Sequence, residues 1–288
     1  MSGIPSWLTL SQADAPLIVS MPHTGSEIPD EYSPRFVSAW FARKDADWWI
    51  DRLYDFAGEL GATVLRTAIS RSVIDVNRDP SGRSLYPGHA TTELCPIVSF
   101  DGETLYRENL EPDADEIARR RACFFEPYHS VLTSEIARLR KLHPKIVLFE
   151  AHSIRSIIPR LFEGELPNFN LGTNSGASCA LELTAAIEKV CDDDFASPLR
   201  GGKESQRGEF TRVTNGRFKG GYTTRHYGDP SSGVHAVQLE LTMRSYMHEP
   251  DSPSPDNWPS PYDPARAAPL RSILQRVLET CLTFASHT

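Results

Sequence analysis

Two short stretches constrain this chain most, because they share one grammar. Leu17–Gly25, LIVSMPHTG, runs apolar and small residues into a Pro, a His and a Gly, and Ile146–Ser153, IVLFEAHS, runs an apolar segment into a small residue and a His. An uncharged, apolar and β-branched run bounded by Pro16 and Pro22 predicts a buried strand. The following Pro-His-Thr-Gly predicts a turn, since Pro fixes φ and Gly tolerates positive φ. His23 then stands on a loop just past the C-terminal end of one strand, and His152 at the same end of another. In open α/β sheets that edge is where ligands bind. One loop histidine reads most simply as a turn cap. Two, delivered to the same sheet edge, point to a metal or catalytic site.

The remaining pattern alternates strands with helices. Strands are expected at 17–20, 62–69, 146–151 and 234–243. Asp47–Gly61 has helical periodicity through Trp48, Leu53, Phe56, Ala57 and Leu60, with Asp45 and Asp47 at its start, where Asp ordinarily caps. Helical stretches follow at 113–143, with a break expected near Pro127, at 180–190 and within 265–285. Between them, Ser70–Pro80, SRSVIDVNRDP, mixes Val73, Ile74 and Val76 with Arg71, Asp75, Asn77 and Arg78. Its plain reading is a solvated edge strand with salt bridges. Residues 80–112 form a long irregular segment of the kind that often covers a site. Residues 153–173 read as loop, and 192–209 as a polar, mobile surface connection. NGRFKGGYTTRHY at 215–227 suggests a Gly-rich loop that handles an anion, without a phosphate-binding fingerprint. In Val234–Met243, Gln238 and Glu240 share a face with Val234 and Ala236, while Val237, Leu239 and Leu241 share the other. Glu240 is thus a carboxylate in an apolar strand, where burial raises a carboxyl pKa and suits it to a general base. The expected fold is α/β: a single domain, residues 1–288, with a central mixed sheet flanked by helices.

Composition narrows the partners. A formal net charge of −8 without a basic cluster argues against nucleic acid or an anionic membrane. No apolar run approaches spanning length, and the N-terminal residues lack a signal-peptide pattern, so a cytoplasmic protein is expected. Its 5 cysteines are scattered, with no CxxC pair, and read as reduced thiols.

PHTG, the DADWW helix start, SRSVIDVNR, PYH at 127–129, AHSIRS, LPNFNLGT, NGRFKGG, TRHYG and HAVQLEL, in this order, resemble the N-formylglutamate amidohydrolase (N-formylglutamate deformylase) family. The resemblance runs from about Leu17 to Met247. It implies a fold related to zinc carboxypeptidases and aspartoacylases. It also implies hydrolysis of N-formyl-L-glutamate to L-glutamate and formate, a step of histidine degradation. One zinc ion per chain would be held by His23, His152 and a carboxylate: Asp47 for preference, Asp45 in reserve, with Glu27 nearest to the carboxypeptidase spacing. Glu240 would be the base, and Arg71 would stabilise the oxyanion. Asn77 with Arg78 would bind a substrate carboxylate and Arg225 the second, with Arg155 as a further candidate. The family more often has Asp at the position of Glu150. The partner implied is a small molecule, the assembly a monomer or small homo-oligomer. Two other readings stay open: a zinc amidohydrolase of the same fold acting on another N-acyl amino acid or a small peptide, and a metal-free dicarboxylate-binding protein.

Overall fold

Strands buried on both faces are built largely of apolar residues, and three such strands make the centre of the sheet. In the computed structural model, which describes residues 4–84, 88, 90–193 and 210–287, the strands are β1 (Leu8–Ser11), β2 (Leu17–Met21), β3 (Thr63–Thr67), β4 (Ile146–Ile154), β5 (Phe169–Gly172), β6 (Arg212–Thr214) and β7 (Val234–Thr242). Their order is β1-β3-β2-β4-β7-β5-β6. β3, β2, β4 and β7 run parallel; β1 and β5 pair antiparallel with β3 and β7, and β6 is parallel to β5. Every residue of β2, β4 and β7 is buried. The helices are α1 (Ile50–Leu53), α2 (Ala114–Arg120), α3 (Glu126–Leu142), α4 (Leu181–Asp193), α5 (Tyr222–Tyr227) and α6 (Pro264–Ser286). Among the described residues, no helix is long and apolar enough to cross a membrane.

The period-2 alternation of the strands splits the core in two. Leu17, Val19, Val147, Phe149, Val237 and Leu239 face a cluster with α4 and α6 residues such as Leu183, Ile187, Ile273 and Leu274. Ile18, Ile146, Leu148, Val234 and Ala236 face a second cluster with Phe125, Tyr128, Leu132 and Leu139. Each Val, Leu, Ile or Phe among them contributes roughly 1.5–3 kcal/mol by leaving water. On the second face the apolar character stops halfway along the strands. Beyond Leu148 come Glu150 and His152, and beyond Ala236 come Gln238 and Glu240, all buried. Chain order supplies the crevice. After β2 the chain moves to β3 on one side, then returns to place β4 on the other, so the C-terminal ends of β2 and β4 flank a switch point.

Several local expectations are revised. The helix expected over 47–61 is one turn, α1, then a 3-10 turn at Asp55–Gly58. Trp49 stands in the left-handed region (φ 64°) and interrupts it. The helix expected over 113–143 is interrupted by a π turn at Arg121–Phe125, where Glu126 N–H reaches Arg121 C=O. Pro127 explains the widening: it lacks the N–H for Cys123, and its ring would clash with that carbonyl in an α turn. β4 runs through His152 to Ile154 rather than stopping at 151. β1, β5 and β6 are strands that the local pattern does not announce; β5 lies within the loop expected at 153–173. Ser70–Pro80 is not an edge strand but a run of turns, with Arg71–Asn77 buried throughout. Of the connection expected at 192–209, residues 192 and 193 end α4 and the rest lies outside the described residues.

Candidate metal and catalytic site

The loop after β2 is shaped by contact. A Cβ on Gly25 would overlap the backbone of Ala68 and Ile69, so glycine is required by close approach, not by φ. This loop carries His23, whose C=O accepts the Asp47 N–H at 2.9 Å. Asp47 is therefore not a helix cap; its backbone is tied to the His23 loop and its carboxylate turns inward. Oδ2 accepts the Ser153 N–H at 3.1 Å and lies 3.0 Å from His152 Nδ1 and 3.7 Å from His23 Nδ1. His23, Asp47 and His152 each offer a ligand atom, all within 4.8 Å of one another. All three are at most 3% exposed.

Carboxylates fix this cluster from behind. His23 Nε2 is 2.7 Å from Asp75 Oδ1, and Asp75 Oδ2 accepts from Arg71 Nη2 at 2.7 Å. Burial alone would raise the Asp75 pKa; His23, Arg71 and Arg78 outweigh it and hold the carboxyl well below its usual range. Burial alone would likewise disfavour the His152 imidazolium, yet hydrogen bonds to Asp47 and Glu150 raise its pKa. With Nε2 of His23 committed to Asp75, its Nδ1 is buried without a hydrogen-bond partner, and so is Asp47 Oδ1. Such orphaned buried polar atoms, here two lone-pair acceptors, are costly unless something else occupies them. Two imidazole nitrogens and a carboxylate oxygen, with a carboxylate behind one imidazole, suit a divalent ion such as zinc.

A cleft opens in front, lined in part by His23, Arg71, Asn77, Arg78, His152 and Glu240. Asp47 is not among its lining residues. Glu240 stands directly opposite His152 in the β4–β7 register, and burial raises its pKa against the pull of His152. Arg71 lies 4.8 Å from the Phe100 ring and 3.6 Å from Asp47 Oδ1. Arg78 is held by Thr92, through the backbone carbonyl at 3.2 Å and the hydroxyl at 3.1 Å.

The other sequence candidates lie elsewhere. Arg155 pairs with Asp101 at 2.6 Å and does not line the cleft. Arg225 also does not; its Nε donates to Gly220 C=O at 2.8 Å. Asp45 accepts the Phe100 N–H at 2.6 Å, its carboxyl pushed up to about 6 by burial. Glu27 is exposed. Arg217 lines the cleft where Arg225 was expected; it donates to Leu161 C=O and Ala90 C=O, both at 2.8 Å. The Gly220–Gly221 turn and the start of α5 grip side-chain amides: Gly221 N–H meets Gln238, and Thr223 N–H meets Asn77. Sequence reasoning also missed Asp75 as the partner of His23. Its signal was the polar density of Ser70–Pro80 among Val73, Ile74 and Val76, unusual for a core element.

Fold and site together define a mixed-sheet α/β protein with a buried His–Asp–His cluster at the switch point. Its relatives narrow this further. Residues 15–247 match the model of the N-formylglutamate amidohydrolase family. The chain is 43% identical over 277 residues to the N-formylglutamate deformylase of Pseudomonas aeruginosa, covering 96% of each. It is 41% identical over 280 residues to that of Pseudomonas putida, covering 97% of each. The crystal structure of N-formylglutamate amidohydrolase from Ralstonia eutropha JMP134 superposes with a TM-score of 0.73 at 19% identity, covering 96% of both chains, and supports the fold. This chain belongs to the N-formylglutamate amidohydrolase family.

Proposed function

We propose that this chain is a zinc-dependent amidohydrolase that cleaves the formamide C–N bond of N-formyl-L-glutamate, releasing formate and L-glutamate in histidine degradation. The observation that carries the reading is the buried His23–Asp47–His152 cluster, whose two histidines line one cleft with Glu240. The two Pseudomonas relatives, both N-formylglutamate deformylases, support the substrate.

His23, Asp47 and His152 would hold the ion, which supplies a Lewis acid and brings the pKa of bound water to about 7. Glu240 accepts the proton of the attacking water. As the water oxygen bonds to the formyl carbon and the C–N bond breaks, Glu240 returns that proton to the leaving nitrogen. A buried carboxylate with a raised pKa suits both halves of that exchange. Arg71 lines the same cleft, held toward Asp75 and Asp47, and stabilises the developing oxyanion. The substrate carries two carboxylates, which guanidinium groups bind in bidentate fashion. Arg78 and Arg217, the other two arginines of the cleft lining, take these roles in place of Arg225 and Arg155.

The test is formate release from N-formyl-L-glutamate by zinc-loaded protein, with N-formylmethionine in parallel and metal analysis of the same sample. About one ion per chain is expected, with kcat/KM at least about tenfold higher for the glutamate substrate, a difference of about 1.4 kcal/mol. Equal rates on both substrates would favour a broader N-acyl amidohydrolase. A metal-free protein that binds but does not hydrolyse would favour the dicarboxylate-binding reading.

A further inference from the structure

Gln238 stands two residues before Glu240 on the same face of β7, lines the cleft and is only 4% exposed. Both ends of its amide are committed. Oε1 accepts the Gly221 N–H at 2.7 Å, and Nε2 donates to Glu240 Oε2 at 3.1 Å. A backbone N–H can only donate, so Gly221 fixes which end of the amide is oxygen and turns the NH₂ toward Glu240. Among the described residues, this is the one hydrogen bond that the Glu240 carboxylate receives. The same turn orients a second amide: Asn77 Oδ1 accepts the Thr223 N–H at 2.8 Å, which leaves its Nδ2 3.0 Å from His152 Nε2.

We propose that Gln238 is a positioning residue for the reaction, braced by the Gly221 N–H and holding the Glu240 carboxylate in its working orientation. The inference rests on the reading of Glu240 as proton acceptor. The last torsion of a Glu side chain is broad, so an unbraced carboxylate samples many planes. Small misplacements of a reacting group are expensive in rate. Gln238 touches Glu240 rather than the groups proposed to bind substrate, so its loss falls on kcat more than on KM.

The experiment is a double-mutant cycle on zinc-loaded enzyme, with kcat, KM, metal content and thermal midpoint for Gln238→Met, Glu240→Gln and the pair. Gln238→Met is expected to lower kcat about tenfold or more, with KM within about twofold and metal content unchanged. In the Glu240→Gln background the same change is expected to cost less than about twofold, because the group it orients is gone. Gln238→Asn, one methylene too short to span both partners, repeats the measurement if the Met variant folds poorly; it too is expected to lower kcat. An unchanged kcat, or equal fold-losses in both backgrounds, overturns the positioning role while leaving Glu240 as the base. Wild-type turnover in Glu240→Gln alone overturns the base and the brace with it.

Discussion

At the scale of single residues, Asp75 is the group on which the others lean. It is wholly buried and meets His23, Arg71 and the Asn77 N–H within 2.9 Å. Its removal acts through two routes. Without the carboxylate, His23 loses the partner that leaves Nδ1 available, and outer-shell losses of this kind typically cost ten- to a hundredfold in metal affinity. Arg71 also becomes a buried charge short of a partner, for which breaking a pair costs about 3–5 kcal/mol. Arg71 retains Asp47 at 3.6 Å, so the lower end is expected. Asp75→Asn should therefore weaken zinc binding and lower the thermal midpoint together, read by zinc titration and calorimetry. Undiminished affinity would mean that His23 is not a ligand oriented by Asp75.

At the scale of elements, α5 is short, yet its first turn determines how the neighbouring strand and loop meet. Gly221 has an ordinary φ of −80°, so no conformational demand requires glycine there. The demand is steric: a Cβ would run into the Asn77 amide. Gly221→Ala must push Asn77 away from His152 or shift the N–H that holds Gln238. Overpacking of this kind costs about 1–3 kcal/mol. A lowered melting temperature and a lowered kcat are expected in the same variant. Wild-type values of both would show that Asn77 has room to yield.

At the scale of the whole molecule, His129 joins three parts of the fold. It sits on α3, its Nε2 is 2.8 Å from Val76 C=O and its Nδ1 is 2.9 Å from Tyr227 OH at the end of α5. A carbonyl only accepts, so Nε2 carries the proton and Nδ1 accepts from the tyrosine. Burial pushes its pKa down to about 4. Between that value and about 6.5 the unfolded chain takes up a proton that the folded chain declines. Stability from this residue is therefore full above pH 6.5 and falls as pH falls toward 4, by about 3 kcal/mol in all. Asp45, raised to about 6, slopes the opposite way in much of this window. The readout is thus a difference between proteins: the stability gap between wild type and His129→Gln, from denaturant titrations, should narrow from pH 7 to pH 4. Parallel curves would mean that the imidazole titrates normally.

The sequence alone determined the parts whose surroundings are uniform. β2, β4 and β7 are buried on both faces and each is built around an apolar run, which makes them legible. Gln238 and Glu240 were placed on one face by the pleat alone. Tertiary structure decided what depends on distant neighbours. β1, β5 and β6 are three or four residues long and owe their form to the strands they pair with. An Asp before a helix reads locally as a cap; the His23 carbonyl, which binds its N–H, and the chain path to β4 made Asp47 part of a cluster. Arg217 and Arg225 share one Gly-rich stretch, and only the fold turned the first to the cleft. The polar run at 70–80 is buried because its partners arrive from elsewhere. His23 meets Asp75 across 52 residues, Asn77 meets His152 across 75, and Asp47 meets His152 across 105. Local pattern records whether a side chain faces core or solvent. Which side chains converge follows from strand order, a property of the assembled sheet.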